Sequence, residues 1–197
     1  MRKLVILAAL ALPALAPAAS WNLDPAHTSV QFSVRHLMVS TVRGAFGKVS
    51  GTVQADEQDP TRSKIEATID AASIDTRIEK RDAHLKSADF LDVAKYPTIT
   101  FVSKKIERAG QDHFKVTGDL TLHGVTREVI LDVEGPTTEI KDPMGKTRAG
   151  ALATTTINRK DFGLAWNQAL EAGGVAVGDE VKITIDVEAT KQAAAGG

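Results

Sequence analysis

The chain has 197 residues, no cysteine, and 24 basic against 25 acidic side chains, for a formal net charge of -1. Without cysteine, neither a disulfide framework nor thiolate chemistry is open to it, and without a basic excess it lacks the electrostatic footprint of a nucleic-acid binder. The length predicts one domain, large enough to bury its own core.

The N-terminus comes first. Arg2 and Lys3 precede an unbroken apolar run, Leu4 to Leu12, too short to span a bilayer. Pro13 ends the run, and Ala16-Pro17-Ala18 supplies the small residues that a signal peptidase reads. This predicts a leader over residues 1–18, with cleavage as late as residue 20, and export to a bacterial periplasm. Arg2 and Lys3 leave with the leader and no acidic residue does, so the mature chain carries a formal charge of -3. No cysteine stands at the cleavage site to carry a lipid anchor, and no later segment is apolar enough to cross a membrane.

From there on the hydrophobic pattern has period two, which predicts strands. Val30, Phe32 and Val34 alternate with Gln31, Ser33 and Arg35; Ile65, Ala67 and Ile69 alternate with Glu66, Thr68 and Asp70. Phe114, Val116, Gly118, Leu120 and Leu122 share one face, Val129, Leu131 and Val133 another, and Val181, Ile183, Ile185 and Val187 a third. One dry face and one wet face per strand is the mark of an antiparallel sheet. Eight strands are predicted, over 28–36, 45–57, 63–73, 98–107, 113–122, 126–138, 147–158 and 180–190, punctuated by turn signals such as Asp59-Pro60, His123-Gly124 and Gly135-Pro136. One segment departs from this rhythm. Thr76 followed by Glu79 fits a capping box, and Asp82 and Lys86 stand four apart, which predicts a helix from Thr76 to about Ala88. Residues 21–191 form the domain, and 192–197 read as a frayed tail.

Catalytic signatures are missing. There is no Gly-x-Ser-x-Gly and no phosphate-binding Gly-x-x-x-x-Gly-Lys-Ser/Thr. The five histidines, His27, His36, His84, His113 and His123, are scattered, with no HxH or HExxH spacing, so no metal and no cofactor is expected. Eight antiparallel strands can close into a barrel whose interior holds side chains or one ligand. The strand faces offer Phe32, Val34, Phe46, Phe101, Leu120 and Leu122 as lining, while Ala45, Gly51, Ala67, Ala71, Gly118, Ala151 and Ala153 are small residues expected to leave volume unfilled. Such a tunnel suits a long hydrocarbon.

Five stretches sharpen this reading. They are Trp21-Asn22-Leu23-Asp24-Pro25-Ala26-His27 running into Val34-Arg35-His36-Leu37-Met38-Val39; Arg81 to Phe90; Lys95 to Phe101; Gly118 to Thr126; and Ile157 to Leu164. Together, and in this order, they resemble the YceI-like family of periplasmic polyisoprenoid-binding proteins. The resemblance covers almost all of the chain after residue 20. It implies an all-β, lipocalin-like barrel of eight antiparallel strands with one short inserted helix. It also implies an isoprenoid or other long-chain lipid as partner and a possible homodimer. Carried onto this chain, it implies a pocket of Phe32, Val34, Met38, Phe46, Leu85, Phe90, Phe101, Leu120, Phe162 and Trp166. Arg35, His36, Arg77, Arg81, His84, Asn158 and Arg159 lie in or beside the same stretches and are the candidates for a polar head group, since a guanidinium pairs well with phosphate. Two other readings compete with a carrier: an enzyme acting on a lipid in the same pocket, and a ligand-free periplasmic interaction or stress protein.

Overall fold

The computed structural model describes residues 18–171 and 173–193. All but the last residue of the expected leader over 1–18, and the last four residues of the chain, lie outside the described residues. Twelve strands form one sheet: β1 Ala19–Leu23, β2 Ser29–His36, β3 Ser40–Phe46, β4 Val49–Ala55, β5 Lys64–Asp70, β6 Ile74–Asp75, β7 Thr98–Arg108, β8 His113–Leu122, β9 Val125–Glu134, β10 Ile140–Lys141, β11 Thr147–Asn158 and β12 Val177–Lys191. Among the described residues one α-helix, α1 Glu79–Lys86, sits between β6 and β7.

The pairings close on themselves. β12 bonds β11 on one side and both β1 and β2 on the other, while β1 and β2 bond β4 and β3 in turn. From β4 the ladder runs through β5, β7, β8 and β9 back to β11. With β1 and β2 counted as one interrupted strand, and β3 and β4 as another, the ring is an eight-stranded antiparallel barrel. Closure leaves no strand of the ring without a partner on either side.

Three local expectations are corrected. The run 45–57, read as one strand, is split at Gly47-Lys48: Gly47 N–H donates to Ser73 O (3.1 Å), which pulls the chain towards the 71–73 turn. The part before the break belongs to a longer strand, β3, which begins at Ser40 and pairs with β2 as a hairpin whose tip is Leu37-Met38-Val39. Alternation then points Gly44 and Phe46 inwards, and Ala45, cross-strand from Gln31, faces out. The capping box does not form. Arg77 has φ of 64°, which takes the chain out of helical geometry, and α1 starts at Glu79 with no side-chain cap. Thr76 instead donates its hydroxyl to Asp82 Oδ1 (2.5 Å) and accepts from Arg81 Nε (2.7 Å). Asp82 is thereby held by Thr76, not by Lys86. At the other end of the chain, Gln192 is tied down: its N–H donates to Ser20 O (2.7 Å).

Two packed clusters lie towards the ends of the barrel. Ala71, Ile74, Phe90, Leu91, Ile99, Leu122, Ile157, Phe162 and Leu164 pack where α1 and the 159–166 turn cross one end. Ile106, Phe114 and Val116 pack together towards the other, with Ile65, Phe101, Leu131 and Val133 against them. Around that second end Arg148 ties three segments together, donating to Asp24 (2.5 Å), Asp142 (2.7 Å) and Glu188 (2.5 Å).

Candidate ligand cavity

Between the two clusters the barrel is hollow. A cavity of about 310 Å³ runs along the interior, within the size range of small-molecule sites. Period two puts alternate residues of every strand onto its wall. β12 contributes Val177, Val181, Ile183, Ile185 and Val187, all facing inwards yet only half-buried, because they look into open space and not into neighbouring side chains. A close-packed core would bury them.

The polar groups on the wall are few and mostly occupied. They are Thr28, Thr100, Thr155 and Arg159. Thr28 Oγ1 donates to Glu188 O (3.1 Å), and Thr155 Oγ1 donates to Ile130 O (2.9 Å). Arg159, 3 % exposed, has an acceptor for each of its five N–H groups: Gly178 O (2.9 Å) for Nε, Leu164 O and Trp166 O for Nη1, and Val177 O and Asp179 Oδ1 for Nη2. Burial pushes its pKa down, and the Asp179 carboxylate opposes that. Its chemistry is that of a clamp holding the 163–166 segment to the start of β12.

Of the ten residues expected in an apolar pocket, seven line the cavity: Phe32, Val34, Phe46, Leu85, Phe90, Phe101 and Leu120. The other three do not. Met38 sits at the exposed hairpin tip with φ of 61°. Phe162 is fully buried in the end cluster, and Trp166 packs against that cluster beside Phe90 (centroids 5.1 Å apart). Of the seven polar candidates, Arg159 alone touches the cavity. The rest gather at the end of the barrel that carries α1. Arg35 donates to Met38 O (2.7 Å) and Thr41 Oγ1 (3.2 Å), fixing the hairpin tip. His36, half-buried, pairs with Ser40 beside that tip. Arg77 is exposed, Arg81 also donates to Thr76 O (2.8 Å), and His84 bonds Asp89 Oδ2 (2.9 Å). Asn158 caps the next turn by accepting from Lys160 N (3.0 Å).

The small residues divide in the same way. Ala67, Ala151 and Ala153 line the cavity. Ala71 is packed in the end cluster at 1 % exposure. Gly118 does not leave a gap, because a Cβ there would collide with the ring of Phe101. Gly51 likewise faces Glu66 O and Leu23 Cδ1, 2.5 and 2.9 Å from where a Cβ would stand.

Residues absent from the sequence-derived list make up most of the wall, the β12 face above all. Their signal, strict alternation, is visible in the chain, but alternation by itself does not separate a cavity wall from a filled core. The described residues also include one group with metal-ligand atoms in reach of one another, Asp24, His27 and Glu188. Arg148 bonds both carboxylates and holds the Asp24 carboxyl well below the usual carboxylate range, so the group is an ion-pair network.

The sequence model of the YceI-like domain matches residues 21–189, and the chain belongs to that family. A UPF0312 protein of Staphylococcus aureus (strain MSSA476) is 42% identical over 170 residues, 86% of this chain and 96% of the relative. Among solved structures, BcnA of Burkholderia cenocepacia superposes with a TM-score of 0.71 at 26% identity, covering 84% of this chain and 98% of that one. A polyisoprenoid binding domain from Saccharophagus degradans, implicated in plant cell wall breakdown, shares the fold with a TM-score of 0.65 at 16% identity, over 90% of this chain and 100% of that domain.

Proposed function

We propose that this protein binds and carries an isoprenoid-type amphiphile in the bacterial periplasm, with the apolar tail held inside the barrel. The observation that carries the reading is the cavity of about 310 Å³ whose wall is aliphatic and aromatic along the length of the strands. Burial of a tail there contributes about 0.8 kcal/mol per CH₂. Roughly twenty carbons therefore offset an association cost of about 4–15 kcal/mol. Membership of the YceI-like family and the shared fold of the polyisoprenoid binding domain from Saccharophagus degradans support the same class of ligand. A binding role rather than catalysis is supported by the wall itself, whose polar side chains are three threonines and the fully engaged Arg159. Export is supported by the basic start, apolar run and small residues of 1–18.

The test is native mass spectrometry of the protein purified from periplasm without detergent, followed by identification of whatever is released. A stoichiometric adduct of isoprenoid mass is the expected result. A bare mass that stays bare when polyprenyl phosphates, isoprenoid quinones and fatty acids are supplied overturns the reading. Chemical conversion of the bound lipid on incubation would replace the carrier with an enzyme.

A further inference from the structure

The barrel wall has a slit. The β1–β4 ladder ends at Asn22↔Thr52, and the β2–β3 ladder begins only at Val30↔Phe46. Among the described residues no strand pairing joins 24–29 to 47–50. Each side is held from behind instead. Asp24 N donates to Glu188 O (2.8 Å) on β12, and Gly47 N donates to Ser73 O (3.1 Å). What closes the slit is side chains. Leu23 and Val49 line the inner cavity, and the same two residues line a groove on the outer face of the barrel. Backbone hydrogen bonds elsewhere in the wall make strand separation costly, whereas here only the side chains of Leu23 and Val49 have to move aside.

The outer groove is chemically different from the cavity. Asn22, Ser50, Thr52 and Thr68 line it, with Glu66 as its charged member. None of these five side chains has a hydrogen-bonding or ionic partner among the described residues. The groove thus offers free hydroxyl and amide groups, and a carboxylate that repels anions. Inside, by contrast, Arg159 has no donor left for a ligand, and a packed apolar cluster lies towards each end.

On the lipid-binding reading above, we propose that the slit is the entrance for the apolar tail, and that the polar end of the ligand stays in the outer groove, as a neutral hydrogen-bonding group such as an alcohol or a quinone carbonyl. A free or esterified phosphate is disfavoured there by Glu66.

The chain has no cysteine, so single introduced thiols can be labelled cleanly. Ser50→Cys, on the exposed rim of the groove, and Met38→Cys, at the exposed hairpin tip, are each coupled to a bulky maleimide. Uptake of a pyrene-tagged polyprenyl alcohol is followed by stopped-flow fluorescence. Label at Ser50→Cys is expected to slow uptake at least tenfold, and label at Met38→Cys to change it less than twofold. Equal rates for the two, or slowing at Met38→Cys alone, overturn the slit as the entrance. In a second arm, Glu66→Gln is expected to tighten binding of a polyprenyl phosphate at least threefold and to leave the alcohol unchanged; no change for the phosphate removes the head group from the groove. Should the unlabelled protein take up no probe at all, the lipid-binding reading fails first, and the entrance with it.

Discussion

Phe32 and Gly44 face each other across the β2–β3 ladder, and the ring of Phe32 occupies the space where a side chain on Gly44 would stand. A Cβ there would lie 2.5 Å from Phe32 Cζ and 2.7 Å from Thr76 Cγ2. The absent side chain lets the ring lie back against the wall and keeps it out of the lumen. Gly44→Ala is therefore expected to swing Phe32 towards Phe46, whose ring centroid is 5.8 Å away, and into the cavity. Overpacking of this kind costs about 1–3 kcal/mol, a fall in Tm of roughly 2–10 °C for a domain of this size. Thermal unfolding by circular dichroism reads it, and an unchanged Tm would show that the ring has room elsewhere.

A second expectation follows from the hollow interior. Ala151 faces the cavity across from Val187. Ala151→Phe puts a ring where the ligand tail would lie. Displacing about three methylenes forfeits about 2.4 kcal/mol, close to fiftyfold in affinity. Because the ring fills a void, Tm should hold or rise. Titration with a fluorescent polyprenyl probe beside a melting curve separates the two effects. A large fall in Tm would mean that the region is already packed.

Arg159 is expected to act on the fold and not on head-group choice. Arg159→Lys keeps a charge but cannot reach four backbone carbonyls at once, and it takes the guanidinium donors from the Leu164, Trp166 and Gly178 oxygens, while Val177 O keeps the Asn167 amide (2.7 Å). Breaking such a network costs about 3–5 kcal/mol. Hydrogen exchange should rise first over 163–168 and the start of β12. Any shift in preference between a polyprenyl alcohol and its phosphate, at unchanged exchange, would return Arg159 to the ligand.

Much of this architecture was legible in the chain, for a physical reason. Period-two alternation in β5, β8, β9 and β12 fixes which face is inward, so the dry face of each strand followed from pattern, while closure into a barrel rested on strand number and the family resemblance. What escaped was set by single contacts between distant segments. Gly47 breaks a strand because Ser73 O is there to receive its N–H. Thr76 fails as a cap because Asp82 and Arg81 claim its hydroxyl. Gly118 looked like a gap until Phe101, two residues off on the partner strand, filled it. Arg159 looked like an anion binder because its five acceptors come from segments up to twenty residues away.

The last expectation concerns acid. Arg148 donates to Asp24 and Asp142 and holds both carboxyls below the usual carboxylate range, while its own pKa is raised by Asp142 first and by Asp24 and Glu188 after it. A carboxyl whose pKa is lower in the fold than in the unfolded chain contributes stability that is fully present above about pH 4 and fades as pH falls through the folded value. Replacing the cation with Arg148→Met removes that contribution at pH 7 and leaves three carboxylates close together. The variant should have a lower urea midpoint than the parent at pH 7, and the gap should narrow between about pH 5 and pH 2 as the carboxyls take up protons. Urea titrations at four pH values across that window read it directly. A gap of constant size from pH 7 down to pH 2 would mean that Arg148 contributes packing alone, and that the closure of the barrel at this end does not depend on its charge.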